Sequence, residues 1–338
     1  MTRLTPTLTA AAAILALAAP ALAQEVNIYS SRHYDSDDLL FDEFTEETGI
    51  TVNRIEADAD EIIARLEAEG DNSPADIFIA VDVGRMDRAE EAGVLQPFTS
   101  DVIEERVPEQ FQHPENLWFG VSQRARIIFY AKDRVETPPV TYEALAEPEW
   151  KGKICIRSSS NIYNLSLMGS LIEAHGAEAA EEWAKGVVAN MAREPEGGDT
   201  DQIKAVAAGQ CAVAVANTYY FVRLLTSDDA ADRELAEGLQ LVFPNQDGRG
   251  THVNVSGAGR AAHAPNPENA VALLEFLSSD EAQGYFANGN NEYPVVEGVA
   301  ANAAVVELGE FKEDEVNVSV YGRNQPEAQM IMDRAGWK

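Results

Sequence analysis

The sequence predicts an α/β protein of two lobes, each a sheet covered by helices on both faces, with extended strands crossing between them. Three observations predict it. Short apolar, β-branched runs alternate with amphipathic helical runs, the order of a sheet wrapped on both sides. The 338 residues, 45% hydrophobic and 24% charged, suffice for two domain-sized cores. No internal repeat, low-complexity tract or flexible linker separates the halves, so the connection is expected to run through the sheets themselves.

The opening "MTRLTPTLTAAAAILALAAPALA" carries one basic residue, Arg3, then an apolar stretch and the Ala21-Leu22-Ala23 pattern of a secretory signal cleaved near Ala23. It is too short and too alanine-rich for a permanent span, and no later segment is long and apolar enough for one. An exported, soluble, periplasmic protein without membrane insertion is expected.

"EVNIYSS" then reads as a strand, and "DSDDLLFDEFTEETG", with Leu39, Leu40, Phe44 and a closing Gly49, as a helix. "ITVNRIEA" is a strand, "ADEIIARLEAEG" a helix, "ADIFIAVD" a strand and "VGRMDRAEEAG" a helix, so the first sheet is expected to be parallel. "RARIIFYAKD" follows as a long strand leaving the first lobe. The second lobe repeats the order with "KICIR", "NIYNLSLMGSLIEAHG", "AAEEWAKGVVANM", "DQIKAVAAGQ" and "CAVAVANTYYFVRLL", and "PENAVALLEFLSSDEAQGYFAN" reads as one further helix. The crossings are placed near Ser122 to Arg126 and Leu241 to Asn245. The lobes are expected to comprise 24–122 with 245–296, and 123–244 with 297–338.

Loss of the leader removes Arg3 alone and takes the formal charge from −32 to −33. So large a negative charge repels phosphate backbones and anionic lipids, which excludes nucleic acid and direct membrane adsorption as partners. Acidity of this kind keeps an exported protein soluble, and it permits a cationic solute without showing one. Cys155 and Cys211, the two cysteines, are expected to form a disulfide between neighbouring strands, since no CxxC spacing or nearby histidine supports a metal site.

The chemistry lies in three strand-to-helix turns. "NIYSSRHYDS" carries Tyr34, "CIRSSSNIYN" carries Tyr163, and "AVANTYYF" carries Tyr219 and Tyr220. Adjacent residues of a strand face opposite ways, whereas neighbours in the first turn of a helix sit about 100° apart and can reach one small object. Ligands collect at the carboxyl ends of strands in open α/β sheets, and these turns lie there; their Ser, Asn and Thr residues can also cap the following helices. A phenol with pKa about 10 is a poor anion at neutral pH. A highly charged cation reverses that preference, and hard phenolate oxygens point to ferric iron over zinc or cuprous copper. Four phenolates around a trivalent ion carry net −1, which Arg124, Arg126 and Arg223 are placed to offset. One further electron would leave −2 around a softer ion, so reduction is read as a release route.

A lone tyrosine after a strand is ordinarily a core or rim residue with a bonded hydroxyl, and Tyr29, Tyr130, Tyr142, Tyr285, Tyr293 and Tyr321 are read so. Phenols in equivalent turns are what move Tyr34, Tyr163, Tyr219 and Tyr220 to ligands. His33 is read as a fifth ligand rather than a loop histidine; Arg32 is left facing solvent, and His113, His175, His252 and His263 lack a motif. "SGAGRAAH" loosely matches a dinucleotide glycine loop, but the prolines of "HAPNP" stand where its helix would run. No hydrolase, zinc, phosphate-loop or calcium-loop signature appears, so no enzyme is expected.

"VNIYSSRHY", "FTEETGITV", "SPADIFIAVDVG", "GVSQRARIIFY", "IRSSSNIYN", "NTYYFVR", "LLEFLSSDEAQ" and "NEYPV" resemble the periplasmic ferric-ion-binding proteins of bacterial ABC importers over nearly all of the mature chain. The resemblance implies a bilobal type II periplasmic-binding-protein fold, two doubly wound mixed sheets joined by crossing hinge strands. It also implies a monomer that closes on iron and delivers it to an inner-membrane ABC permease. One branch of that family uses His, Glu and two Tyr with a bound phosphate; its glutamate falls here at Val81, which cannot ligate, and its phosphate turn corresponds to "SSSNIYN" with Tyr163. The chain is similar instead to the tyrosine-rich branch, in which Tyr34, Tyr163, Tyr219 and Tyr220 match ligands and His33 matches a ligand of some members. Arg124 matches an arginine near the site; Arg223 and Asn217 are placed beside it. Carbonate or water is left to complete the shell. The alternatives are a binding protein for a polyamine or sugar, with tyrosines as stacking surfaces, and, far behind, an exported hydrolase.

Overall fold

The computed structural model describes residues 24–32, 34 and 36–338; the expected signal segment 1–23 and the candidate ligand His33 lie outside the described residues. In chain order the elements are β1 (Glu25–Ser30), α1 (Ser36–Thr48), β2 (Thr51–Glu56), α2 (Ala59–Glu69), β3 (Ile77–Val81), α3 (Val83–Glu91), α4 (Asp101–Arg106) and β4 (Phe119–Ala131). Then come β5 (Ile154–Cys155), α5 (Ile162–His175), α6 (Ala177–Asn190), α7 (Asp199–Ala207), β6 (Val213–Asn217), α8 (Thr218–Leu225), α9 (Ala230–Glu237), β7 (Leu239–Val242) and β8 (Val253–Arg260). The chain ends in α10 (Pro267–Leu277), α11 (Asp280–Asn290), α12 (Ala303–Val306), α13 (Ser319–Arg323) and α14 (Gln325–Ala335).

Local signals explain most boundaries. Gly49, with φ of 72°, supplies the left-handed residue that ends α1, and Asp58 caps α2 by accepting from the Asp60 amide. The stretch read as one helix after "PENAV" is two, because the Ser279 hydroxyl accepts from the Ala282 amide and starts α11 afresh. The strand expected in "KICIR" shrinks to Ile154 and Cys155, and the closing helices α13 and α14, unanticipated in the sequence, pack on α5 and α6.

The strand order is β2-β1-β3-β8-β4-β6-β5, with β7 also on β4. Parallel pairing holds where it is expected, β2 with β1, β1 with β3 and β5 with β6. It gives way at the centre, where β8 runs antiparallel to β3 and β4, and β4 antiparallel to β6 and β7, so the sheets are mixed. Strand β4 belongs to both: Phe119 to Ala125 pair with β8, and Arg126 to Tyr130 with β6. That change of partner falls within the stretch 122–126. Leu241 still sits in β7 against Phe129 and the strand ends at Val242, so the chain leaves the second sheet within the expected stretch 241–245. "SGAGRAAH" is the end of β8 rather than a phosphate loop.

The apolar faces meet as their spacing dictates, with Phe44 on Phe276 (centroids 5.3 Å), Phe129 on Phe221 (4.9 Å) and Trp183 on Trp337 (6.0 Å). Among the described residues no helix is long and apolar enough to cross a membrane. Cys155 in β5 and Cys211, two residues before β6, form a disulfide with Cα atoms 5.8 Å apart. The bond closes a separation of 56 residues. Its reduction is expected to lower the unfolding free energy by at most about 4 kcal/mol, measurable by urea titration with and without reductant. No change on reduction would show that packing alone holds these strands.

Candidate metal centre

The sequence places "NTYYFVR" at the point where β6 becomes α8. Thr218 is the first helical residue, so Tyr219 and Tyr220 occupy the first turn, and their rings stand 4.3 Å apart at 36°. Tyr219 is buried at 2% exposure while Tyr220 remains half-buried. Tyr163 sits at the second position of α5, and the Tyr219 hydroxyl donates to its hydroxyl at 3.2 Å. Tyr34 comes from the other sheet, in the turn between β1 and α1. The Arg223 guanidinium, one turn along α8, lies over three of the rings, 5.7 Å from Tyr34, 5.1 Å from Tyr219 and 5.7 Å from Tyr220. The four candidate phenols therefore converge from three separate turns.

Around them is a ring of cations. Arg124, Arg126 and Arg157 lie 5.9, 5.9 and 5.7 Å from the Tyr163 ring. Arg157 went unnoticed in the sequence although it stands in the same turn as Tyr163. Asn217 makes no cap bond to α8, and Asn161 makes none to α5, contrary to the expectation for these turns. The Asn217 amide instead accepts from Arg126 Nη1 at 3.0 Å and donates to the Tyr219 hydroxyl at 3.4 Å, joining a guanidinium to a phenol. Arg126 is further held by Asn164 Oδ1 (2.6 Å) and Asp199 (3.2 Å).

Arg32 corrects the reading that it faces solvent. It is 1% exposed, forms ion pairs with Asp37 (3.2 Å) and Glu292 (3.2 Å), donates to Ser256 Oγ at 2.8 Å and stacks on the Tyr34 ring at 4.8 Å. The local reason is that Asp37, in the first turn of α1, supplies a counter-ion five residues away. The distant reason is Glu292, which the sequence reading did not single out. It is 1% exposed and also accepts from Ser122 Oγ at 2.8 Å. Burial raises the Glu292 carboxyl, but Arg32, Arg124 and hydrogen bonds from Asn290 and Ser122 more than offset that and hold it below the usual range. Arg223 donates to Asn290 Oδ1, so the same corner reaches the tyrosine pair.

Burial holds the phenols of Tyr34, Tyr163 and Tyr219 in the neutral form. Burial pushes Tyr163 up to about 12, with the neighbouring Tyr220 adding to the shift and Arg124 opposing it. Burial, then Tyr163, Tyr220 and Tyr34, push Tyr219 well above the ordinary phenol value. Burial and Glu292 raise Tyr34, while Arg32 and a hydrogen bond from Asn290 pull it back. Mutual repulsion among phenolates thus opposes ionisation unless a cation sits between them, which is the property required of a site selective for high positive charge. Val81 lies buried on β3 opposite Ser256, so no carboxylate enters there, and Asp82 beside it is engaged elsewhere. Among the described residues, no trio of histidine, cysteine or carboxylate ligands forms at these four tyrosines. Of the other tyrosines, Tyr29 bonds Glu69 (3.0 Å), Tyr130 bonds Gln240 and the Tyr142 hydroxyl donates to the Arg126 carbonyl, as expected, whereas the buried hydroxyls of Tyr293 and Tyr321 find no hydrogen-bond partner among the described residues.

Comparison with known proteins identifies the family. The bacterial extracellular solute-binding protein family matches residues 72–312. The chain is 51% identical over 323 residues to iron uptake protein A2 of Synechocystis sp., covering 95% of this chain and 92% of that one. Among solved structures, the Trichodesmium protein IdiA (FutA) in complex with iron and citrate superposes with a TM-score of 0.91 at 54% identity, covering 93% of this chain and all of that one. Apo FutA2 from Synechocystis PCC6803 gives 0.90 at 51% identity, covering 94% of this chain and all of that one. Both superpose over nearly the whole described chain. The chain belongs to the bacterial extracellular solute-binding protein family and, within it, to the iron uptake branch of type II periplasmic binding proteins.

Proposed function

We propose that this chain binds ferric iron between its lobes through the phenolates of Tyr34, Tyr163, Tyr219 and Tyr220 and delivers it to an inner-membrane ABC permease. The observation that carries this reading is the convergence of four phenols from three strand-to-helix turns, with Arg124, Arg126, Arg157 and Arg223 around them to offset the excess negative charge. The iron-binding relatives support the choice of metal. The lobes we assign are 24–122 with 245–296 and 123–244 with 297–338, supported by the change of partner along β4. The chain acts as a monomeric carrier without enzymatic activity, exported by cleavage near Ala23. Carbonate, citrate-like carboxylate or water completes the coordination shell, and His33 is a further candidate donor. Addition of ferric citrate to chelator-stripped protein is expected to produce a purple to red phenolate charge-transfer band; a colourless protein whose melting point rises with a polyamine or sugar would favour the organic-solute reading instead.

Proton release on ligation sets the direction of the pH dependence. Each oxygen must lose its proton before it ligates, so ferric affinity rises with pH and falls in acid, by up to about a decade per pH unit for each phenolate formed. Chelator competition across pH 6 to 8, corrected for the chelator's own protonation, reads this directly, and an affinity independent of pH would contradict it. In the iron-free protein the sign reverses. Burial pushes the Tyr163 phenol up to about 12, above its unfolded value near 10, so the stability it lends is expected to be intact below pH ~10 and lost as pH rises towards about 12.

A further inference from the structure

The residue after β3 is not a glycine, yet Asp82 adopts φ 87° and ψ 129°, a conformation costly for any side chain with a Cβ. Its carboxylate is fully buried and accepts three hydrogen bonds. Oδ1 accepts from the Gly84 amide at 2.9 Å and from Ser166 Oγ at 2.7 Å, and Oδ2 accepts from Asn254 Nδ2 at 3.0 Å. Asn254 lies on β8 and returns a bond by accepting from the Val83 amide at 3.1 Å. Ser166, also fully buried, lies on α5, which follows β5 of the other sheet; it accepts in turn from Gln325 Nε2 at 3.0 Å. At Gly84 a Cβ would fall 1.7 Å from that Gln325 amide, so the two halves approach here as closely as glycine allows. The strained turn therefore carries a hydrogen bond from one sheet's helix layer to the other's.

Ser166 stands three residues after Tyr163 on the same helix, one turn along the same face. Between them Asn164 ties the helix to its own lobe through Arg126 (2.6 Å) and the Arg157 carbonyl (2.9 Å). The start of α5 is thus held from its own side by Asn164 and from the opposite side by Asp82. We propose that Asp82 is a positioning residue for iron retention: its bond to Ser166 fixes Tyr163 against the first lobe's Tyr34 and thereby slows release of the ion. In this role Asp82 acts on the site through Ser166 and α5 rather than by ligating the ion. The proposal rests on the ferric reading of the tyrosine site.

The test uses the full mature chain and the variants Ser166→Ala, Asp82→Asn and the double substitution. Each is loaded with ferric ion, and loss of colour to excess EDTA is followed in time. Both single substitutions are expected to speed iron loss about tenfold, the scale of one charge-assisted hydrogen bond, while the visible band at saturation stays at wild-type strength. The double variant is expected to release no faster than the faster single one, because Asp82→Asn keeps an acceptor but weakens the same charge-assisted bond that Ser166→Ala removes. A wild-type release rate for Ser166→Ala, or single effects that multiply in the double variant, would overturn the proposal. Ser166→Ala decides alone if Asp82→Asn does not fold, since it leaves the cap on α3 in place. If the wild-type protein takes up no coloured ferric ion, the ferric reading fails, and amide exchange at Tyr163 and Asn164 of the iron-free protein decides the positioning claim: about tenfold faster exchange in Ser166→Ala supports it, and unchanged exchange overturns it.

Discussion

Tyr220→Phe is expected to abolish most of the visible charge-transfer band and to weaken ferric binding by well over 100-fold while leaving the iron-free fold intact. The loss of an outer partner of a metal ligand ordinarily costs 10- to 100-fold, and removal of an anionic donor from the ion itself costs more. Tyr220 suits the test because it is half-buried on the first turn of α8, so a phenylalanine ring retains its stacking on Tyr219 at 4.3 Å. Tyr219→Phe is a less clean probe. It also removes the hydroxyl that donates to Tyr163 and accepts from Asn217, so a change in affinity would mix ligation with the ordering of two neighbours. Absorption titration and chelator competition on both variants, beside circular dichroism of the iron-free proteins, separate the two. An unaltered band in Tyr220→Phe would remove that residue from the coordination shell.

The second large effect is on stability. Glu292 lies among two buried guanidinium groups, Arg32 at 3.2 Å and Arg124 behind it, and both arginines are 2% exposed or less. Removing the carboxylate leaves buried positive charge without its counter-ion, a change that costs about 3–5 kcal/mol in comparable sites. Glu292→Gln keeps the shape and removes the charge, so its unfolding midpoint in urea is expected to fall by an amount of that order. The same substitution acts in the opposite direction on Tyr34, whose phenolate Glu292 disfavours. The variant is therefore expected to be less stable but no poorer at forming the Tyr34 phenolate, and unchanged stability would show that Asp37 alone balances Arg32.

What the sequence made legible was local. The apolar run "CAVAVA" followed by Asn217 and Thr218 marks the end of a strand and the start of a helix, and that boundary alone turns Tyr219 and Tyr220 toward one point. The same logic located Tyr34 and Tyr163. Residues whose role depends on distant partners stayed hidden: Arg32 and Glu292 are 260 positions apart, and Asp82 and Ser166 are 84 apart, so no spacing rule connects them. Antiparallel pairing of β8 escaped for a related reason, since the alternation of strand and helix predicts parallel neighbours and is silent about a strand that returns from the other lobe. The break before α11 was legible in Ser279, an N-cap residue inside an otherwise continuous apolar pattern.

A crystal structure of the ferric-loaded protein, with the metal located by its anomalous scattering, bears most directly on the central claim. The account predicts a single iron between the lobes with the hydroxyl oxygens of Tyr34, Tyr163, Tyr219 and Tyr220 at bonding distance and Arg223 close by. An ion held elsewhere, or a cleft ion whose shell lacks these phenolates, would contradict it.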